Sequence, residues 1–297
     1  MNKSDSAGGG AGKKKILLTG ATGLLGSRLY PYLKQQGLNV VGQGNSKKTD
    51  INCDLRSLKA TEHLLNFVQP QLIINLAALT DVDKCEQRLE DAYLLNVKTA
   101  ENITAWIKQH PGVKIIHIST DQLYDSPGPH PEQDVMPVNV YGFSKYCAEK
   151  VVQQVESTIL RTNFFGESLV PYRKSFSDWL VESFQRQTPI KLFTDVFFSP
   201  LSLNTLIEIL AKIIEKPIAG VFNLGSREGM SKRDFAIELA KLFSFSTDCA
   251  QDALAAEQKL KARRPKDMRM DCSLFEKTFN IKLPLLKDEI KRLKVKS

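Results

Sequence analysis

The sequence predicts an α/β protein with a doubly wound parallel sheet, a Rossmann fold, and a smaller C-terminal α/β lobe. Apolar runs of strand length alternate with longer segments of helical periodicity. A glycine-rich turn follows the first run, and the alternation loosens after residue 165. The length of 297 residues also exceeds what one hydrophobic core usually fills. We therefore expect a flexible leader over 1–12, a Rossmann domain over 13–165 with returning segments from the C-terminal half, and a substrate-binding lobe over 166–297.

Five apolar segments are short enough to be buried strands, and four amphipathic segments are long enough to be helices. The predicted strands are 15–19, 39–42, 72–76, 113–119 and 158–162. The predicted helices are 24–36, 58–67, 89–109 and 141–155. Ser57 is the predicted N-cap of the second helix. Pro31 should kink the first helix unless it falls in the opening turns, because proline removes a backbone hydrogen bond.

The second half of the chain carries a looser pattern. Helical periodicity is present over 176–187, 203–216 and 233–243, with Ser231 as a predicted N-cap of the last segment. A short strand is predicted over 221–224. We interpret this half as the lobe that binds the substrate.

Charge and cysteine content exclude several classes of protein. The formal net charge is +8, but the lysines are spread along the chain, which is more typical of a solvated surface than of a nucleic-acid site. No window approaches the roughly 20 apolar residues of a membrane span, and 1–15 lacks a secretory signal. The five cysteines contain no CxxC pair, which favours reduced thiols and predicts no metal site. We expect a cytoplasmic protein with neither nucleic acid nor membrane as partner.

The turn after the first strand indicates a dinucleotide site. It reads Gly20-Ala21-Thr22-Gly23-Leu24-Leu25-Gly26 and opens the first predicted helix. Glycine permits a tight turn and close approach of the backbone to a pyrophosphate, while the helix N-terminus offers free N–H groups and a positive dipole end. The three glycines and the residues between them, Thr22, Leu24 and Leu25, are therefore candidate cofactor-binding residues.

The loop after the second strand favours NADPH over NADH. It reads Gln43-Gly44-Asn45-Ser46-Lys47-Lys48, without the carboxylate that binds the adenosine ribose in NAD-preferring proteins. Two lysines could instead accommodate a 2′-phosphate. Asn45 and Ser46 are candidate cofactor ligands in this loop, and use of NADH stays open.

A tyrosine and a lysine four residues apart supply a proton-transfer pair. Tyr141 and Lys145 lie on one face of a predicted helix. A nearby ammonium favours the phenolate and is expected to lower the pKa of the phenol. Thr120 ends the fourth predicted strand, at the sheet edge where ligands of such folds bind, and would hydrogen-bond a substrate carbonyl. The order of glycine loop, Thr120 and Tyr141/Lys145 predicts an oxidoreductase.

With these residues the chain resembles the extended short-chain dehydrogenases, in which the glycine spacing is GxxGxxG, and within them the dTDP-4-dehydrorhamnose reductase group. The resemblance spans most of 14–285. It is carried by ILLTGATGLLGS, IINLAALTDVDKCE with a later LLNV, HISTDQLYDS, YGFSKYCAE, LRTNFFGE and ARRPKDMRMDCS.

The resemblance implies hydride transfer to a 4-keto sugar on a nucleoside diphosphate. Tyr141 would protonate the new hydroxyl, and Lys145 would also hold the nicotinamide ribose. By the same matching, Asp54 and Leu55 would border the adenine, and Ala77, Ala78 and Leu79 the ribose and pyrophosphate. The sugar end would be bound by Thr120, Asp121 and Asn163. Whether the chain acts as a monomer or a homodimer stays open.

Two other functions belong to the same resemblance. The regulatory subunit of methionine adenosyltransferase is similar in sequence and binds NADP as a partner protein, and nucleotide-sugar epimerases or dehydratases keep their cofactor bound without net oxidation. The chain departs from the reductase group in Asn163-Phe164-Phe165 and in the segment 195–201, which lacks the usual Gln and Thr. These departures predict an altered sugar pocket and leave Tyr141 and Lys145 in place.

Four further residues are weaker candidates. His117 is interpreted as a core or edge histidine and Cys147 as a buried thiol. Arg263 and Arg264 could grip a diphosphate, since arginine binds phosphate in a bidentate manner, or could lie in an exposed loop.

Overall fold

The computed structural model describes residues 14–45, 49–171 and 173–293. Its centre is a sheet of seven parallel strands in the order β11-β6-β5-β4-β1-β2-β3, with helices on both faces. The expected α/β architecture with a doubly wound parallel sheet is confirmed. The strands of this sheet are β1 (Lys15–Thr19), β2 (Asn39–Gly44), β3 (Ile51–Asn52), β4 (Leu72–Asn75), β5 (Lys114–Thr120), β6 (Ser157–Thr162) and β11 (Gly220–Leu224).

The remaining strands are short and form small sheets in the second half of the chain. They are β7 (Phe164–Phe165), β8 (Ile190–Phe193), β9 (Phe197–Phe198), β10 (Leu201–Ser202), β12 (Met230–Ser231), β13 (Ala250–Ala253) and β14 (Asp267–Met268). The α-helices are α1 (Gly26–Gln35), α2 (Leu58–Val68), α3 (Val82–Gln87), α4 (Leu89–Ala92), α5 (Thr99–Lys108), α6 (Val140–Val152), α7 (Phe176–Gln185), α8 (Leu203–Glu215), α9 (Lys232–Phe243), α10 (Ser273–Phe279) and α11 (Leu286–Lys291).

Apolar side chains cover both faces of the central sheet. On one face, β1, β4 and β5 pack against α1, α8 and α10. On the other face, the same strands pack against α2, α5 and α6. A separate apolar cluster unites α7, α9 and α11 with β8 and β9. Segments of the C-terminal half therefore return to the central sheet, namely α8, β11 and α10.

Local features of the helices agree with the sequence except in one segment. Ser57 and Ser231 accept hydrogen bonds from the N–H groups of Ala60 and Asp234, so both predicted N-caps are confirmed. Pro31 lies beyond the opening turn of α1, yet the helix continues to Gln35 with Pro31 exposed. The predicted helix 89–109 is continuously helical from Leu89 to Lys108, but its segment Tyr93–Lys98, between α4 and α5, is π-helical, which the apolar spacing does not indicate.

None of the helices within the described ranges has the length and apolar composition of a membrane span. Over the same ranges, no group of three or more His, Cys, Asp or Glu side chains could hold a metal ion.

Candidate active site

The turn between β1 and α1 is held in a shape that only glycine permits. Gly20 has a φ of +67°, in the left-handed region. A Cβ built on Gly26 would lie 2.2 Å from the Gly20 carbonyl oxygen. The N–H of Gly23 donates to that same oxygen at 2.9 Å. The three glycines thus form a tight cradle at the N-terminus of α1, which fits a pyrophosphate group.

One cleft contains nearly all of the predicted site residues. Its volume of about 410 Å³ is within the range of cofactor and substrate sites. The predicted residues that line it are Gly20, Thr22, Gly23, Leu24, Leu25, Gly26, Asn45, Asp54, Leu55, Ala77, Ala78, Thr120, Asp121, Tyr141, Lys145 and Asn163. The carboxyl ends of β1, β2, β4, β5 and β6 therefore meet at one edge of the sheet, as the fold requires.

Leu79 is not brought into the cleft lining. The side chain of Asn96 accepts from the N–H of Leu79 at 2.7 Å and donates to the Leu79 carbonyl at 3.1 Å. The Leu79 side chain packs beside Cys85 and Tyr141. Both backbone polar groups of Leu79 are therefore bonded within the protein. Ser46, Lys47 and Lys48 lie outside the described residues.

Sequence reasoning missed other residues of the cleft. They are Gln43, Gly44, Leu76, Thr80, Leu95, Thr99, Ile118, Ser119, Gln122, Thr162, Phe164 and Arg173. Most of them are next in the sequence to a predicted residue at a strand end, so this position could have identified them. Arg173 had no such signal, because it comes from the loop before α7, where it contacts Thr80.

The amide of Gln43 connects the glycine turn to the strand edge. Its Oε1 accepts from the N–H of Gly20 at 3.2 Å, and its Nε2 donates to the carbonyl of Cys53 at 2.6 Å. Both ends of the amide are thus used within the protein. Gln43 therefore supports the glycine turn from β2.

Tyr141 is almost completely buried, with 8% of its surface exposed. Burial raises the pKa of its phenol to about 12, although a hydrogen bond with Thr120 acts in the opposite direction. This direction is opposite to the one expected from Lys145. The phenol consequently stays protonated at neutral pH and can act as a proton donor to an oxygen in the cleft.

Lys145 turns its ammonium toward the sheet. Its Nζ donates to the carbonyl of Ile118 at 2.7 Å and lies 3.4 Å from Nε2 of His117. Burial lowers the pKa of Lys145 to about 8, while the carboxylate of Glu149 raises it. The helix places Tyr141 and Lys145 one turn apart, with both side chains lining the cleft.

Asp121 and Asn163 form a pair at the far end of the cleft. Asn163 Nδ2 donates to Asp121 Oδ2 at 2.7 Å. Burial raises the pKa of Asp121 to about 6, against the opposing effects of Asn163 and Lys232. The two residues that were expected at the sugar end are therefore in direct contact, beside Thr120 and Tyr141.

A second cavity of about 350 Å³ lies between α7 and β8. Aromatic side chains line it, including Phe176, Trp179 and Phe193, and Lys232 borders it. The Lys232 ammonium lies 5.1 Å from the centre of the Phe176 ring and interacts electrostatically with Asp121. Lys232 therefore borders this aromatic cavity and also interacts with Asp121 of the first cleft.

The remaining candidates do not line the cleft. Arg264 is paired with Asp83 at 2.7 Å, and Arg263 is paired with Asp125. Both arginines therefore fasten their loop to other parts of the protein. Cys147 is only partly buried, so the interpretation as a buried thiol is wrong. It lies on α6, one residue beyond the partly buried Tyr146.

The chain is similar in sequence to proteins of two kinds. A protein of Haloferax volcanii named probable low-salt glycan biosynthesis reductase is 29% identical over 292 residues, 93% of this chain and 96% of its own. Methionine adenosyltransferase 2 subunit beta of Rattus norvegicus is 27% identical over 285 residues, 89% of this chain and 82% of its own.

A solved structure shares the fold. It is dTDP-4-dehydrorhamnose reductase from Bacillus anthracis in complex with NADP, with a TM-score of 0.86 and 22% identity, covering 96% of this chain and 100% of that one. The family model described as RmlD substrate binding domain matches residues 14–296. Because this match spans nearly the whole chain, the protein belongs to the RmlD substrate-binding domain family of extended short-chain dehydrogenases.

Proposed function

We propose that the protein is an NADPH-dependent reductase of a 4-keto sugar carried on a nucleoside diphosphate. One observation carries the proposal: the buried Tyr141 phenol, the Thr120 hydroxyl and the glycine cradle open into the same cleft. A proton donor and a dinucleotide site therefore share one space. The NADP in the Bacillus anthracis structure and the reductase names of the relatives support the same reaction class.

The residues present fit a dinucleotide. Gly26 has no Cβ, which would lie 2.2 Å from the Gly20 carbonyl oxygen, so the start of α1 packs closely on the turn. The N-terminus of this helix favours the negative charge of a pyrophosphate. Thr22, Leu24 and Leu25 would flank the pyrophosphate, and Asn45, Asp54 and Leu55 the adenosine. When bound, NADPH supplies the hydride.

The chain's own residues would handle the proton. Tyr141 donates its phenolic proton to the carbonyl oxygen as that oxygen gains negative charge, and Thr120 donates a hydrogen bond to the same oxygen. The pKa of about 12 keeps the phenol protonated until this step. Lys145, when charged, stabilises the tyrosinate that remains and binds the nicotinamide ribose.

The second cavity supports a nucleotide sugar as substrate. Its aromatic lining suits the planar base of a nucleoside, and Lys232 offers a positive charge for a diphosphate. Asp121 and Asn163 would then bind the sugar hydroxyls between this cavity and Tyr141.

A screen of NADPH oxidation against 4-keto sugars on different nucleoside diphosphates tests the proposal. We expect absorbance at the nicotinamide band to fall with at least one of them, and NADH to be less effective. A protein that binds NADPH tightly but oxidises it with none of these sugars would contradict the reductase assignment.

The second candidate is a regulatory subunit that binds NADPH without turnover. Its supporting observation is the similarity to methionine adenosyltransferase 2 subunit beta along 89% of this chain. The altered segment 195–201 and Asn163 are consistent with a pocket that does not bind a sugar substrate. Titration of the protein into a methionine adenosyltransferase assay separates the two functions, because only the regulatory subunit changes that activity.

A further inference from the structure

Four buried side chains form a continuous chain of contacts behind the site. Lys145 Nζ lies 3.4 Å from His117 Nε2, and His117 Nδ1 lies 3.0 Å from Asn75 Nδ2. Asn75 Oδ1 accepts from the hydroxyl of Thr19 at 2.7 Å. These side chains come from α6, from the middle of β5 and from the ends of β4 and β1. Thr19 immediately precedes Gly20, so the chain runs from the lysine to the glycine cradle.

The orientation of the Asn75 amide is fixed by its neighbours. Its Oδ1 accepts from the Thr19 hydroxyl and from the N–H of Ala77 at 3.3 Å. The Thr19 oxygen in turn accepts from the N–H of Leu76 at 3.3 Å, so its own proton is free to go to Asn75. The NH₂ end of Asn75 must therefore face His117 and donate to it.

This donor determines which nitrogen of His117 carries the proton. Burial and the nearby Lys145 hold the pKa of His117 well below its usual value, so the ring is neutral. A neutral imidazole has one N–H and one acceptor nitrogen. Because Nδ1 accepts from Asn75, the proton resides on Nε2, which is the nitrogen that faces Lys145.

We propose that His117 is a positioning residue for Lys145, presenting a fixed Nε2–H to the lysine nitrogen and thereby favouring the uncharged amine. An ammonium at this place would meet the imidazole N–H donor to donor. An amine can accept from Nε2–H while it continues to donate to the carbonyl of Ile118 at 2.7 Å. A role of His117 in catalysis rests on the proposed function, whereas the experiment that tests its effect on Lys145 does not.

The other charged and titratable groups around Lys145 leave this role to His117. From α6, Glu149 favours the ammonium, although its carboxylate is already bonded to Arg161 and Ser119. Tyr141, one turn earlier on α6, is neutral. β4 contributes only the uncharged Asn75. Among the described residues, His117 is thus the side chain that presents a hydrogen-bond donor to Lys145 and so disfavours the ammonium form.

The consequence for catalysis is a lysine that can change charge near the working pH. Such an amine can take up or release a proton at little cost in free energy. The ammonium form stabilises the tyrosinate that Tyr141 leaves behind, and the amine form is what His117 favours. A lysine held by Glu149 alone would stay charged throughout.

Two substitutions of His117 separate its two hydrogen bonds. His117→Asn keeps an acceptor for Asn75 but has no donor that reaches Lys145. His117→Gln can place an amide N–H near the position of Nε2. The measurement is an NMR pH titration of the Lys145 Cε resonance without coenzyme, assigned by its absence in Lys145→Met. We expect His117→Asn to raise the pKa of Lys145 by about one unit, a tenfold change in proton affinity, and His117→Gln to stay close to the wild type.

A second measurement uses the wild-type protein and therefore does not depend on whether a variant folds. The ¹⁵N shifts of histidine-labelled protein should show His117 protonated on Nε2 and not on Nδ1 from pH 5 to 9. An Nδ1–H tautomer, or equal lysine shifts in the two variants, would overturn the proposal. If the titrations agree but no nucleotide sugar is reduced, the proposed function fails while the role of His117 stands.

Discussion

Gly142 lies directly against the carbonyl of Gln122: a Cβ built on it would be 2.4 Å from that oxygen. The glycine allows the first turn of α6 to approach the loop that follows β5. Asn139 caps the same turn by accepting from the N–H of Gly142 at 2.8 Å, and its Nδ2 donates to the Gln122 side chain at 3.0 Å. This contact brings Tyr141 beside Thr120.

Replacement of Gly142 should therefore disturb the site geometry. We expect Gly142→Ala to displace α6 from the loop and to lower kcat of the proposed reduction by about 10- to 100-fold, since misplacement of a reacting group by about 1 Å has an effect of this size. Phe143→Ala is the control, because Phe143 is the next residue and is 60% exposed. If Gly142→Ala and Phe143→Ala had equal activity, the close contact of Gly142 with the Gln122 carbonyl would not be needed for the reaction.

Removal of the Tyr141 hydroxyl should abolish proton donation while leaving the ring in place. We expect Tyr141→Phe to bind NADPH with nearly unchanged affinity and to reduce the substrate about 10²- to 10⁴-fold more slowly. Fluorescence titration of NADPH and the oxidation assay measure the two quantities. Substantial residual turnover would remove Tyr141 as the proton donor.

Replacement of Lys145 should stabilise the fold. The pKa of Lys145 is about 8 in the folded protein, below its ordinary 10.5. The free-energy cost of the buried charge is therefore fully present below about pH 8 and disappears as the pH rises from 8 to 10.5. We expect Lys145→Met to increase the free energy of unfolding at pH 7 by about 1–3 kcal/mol, with loss of activity.

Urea unfolding at pH 7 and pH 10 measures this effect. The advantage of Lys145→Met over the wild type should shrink at the higher pH. Lys150→Met is the control, because Lys150 is exposed on the same helix and should show no such dependence. A constant difference at both values would contradict a lowered pKa for Lys145.

Lys47 and Lys48 remain candidates for the 2′-phosphate of NADPH. Replacement of both by Ala should weaken NADPH binding more than NADH binding, because only NADPH carries the additional phosphate. Binding of both coenzymes to this variant and to Lys59→Ala, a change on the exposed part of α2, gives the comparison. An unchanged preference would assign the phosphate to other residues.

The longer strands and helices could be predicted from the sequence because each spans enough residues for its apolar pattern to be detected. The first predicted strand matches β1, and the other four predicted strands of the first half differ from the structure by one or two residues at their ends. The two-residue strands, such as β7 and β9, could not be found, because so short a segment has no period. Their pairing depends on partners distant in the chain.

The site was predictable wherever a motif implied a strand end. Gly20 and Thr120 meet in the cleft because parallel strands end at a common edge, and the start of α6 brings Tyr141 to the same cleft. The ionisation of Tyr141 was not predictable, since it depends on burial and on where the Lys145 ammonium points. Leu79 was misplaced for a similar reason: its backbone is held by Asn96, which lies 17 residues further along the chain.

The last strand of the central sheet, β11, comes from the C-terminal half and pairs with β6. A fragment that ends at residue 165 would leave the backbone of Ser157–Thr162 as an open edge in a strand whose residues are all buried in the intact protein. Such an edge is prone to pair with other chains. The first half of the chain therefore needs β11 to cover this edge, and we expect a fragment without it to aggregate rather than to form an autonomous nucleotide-binding module.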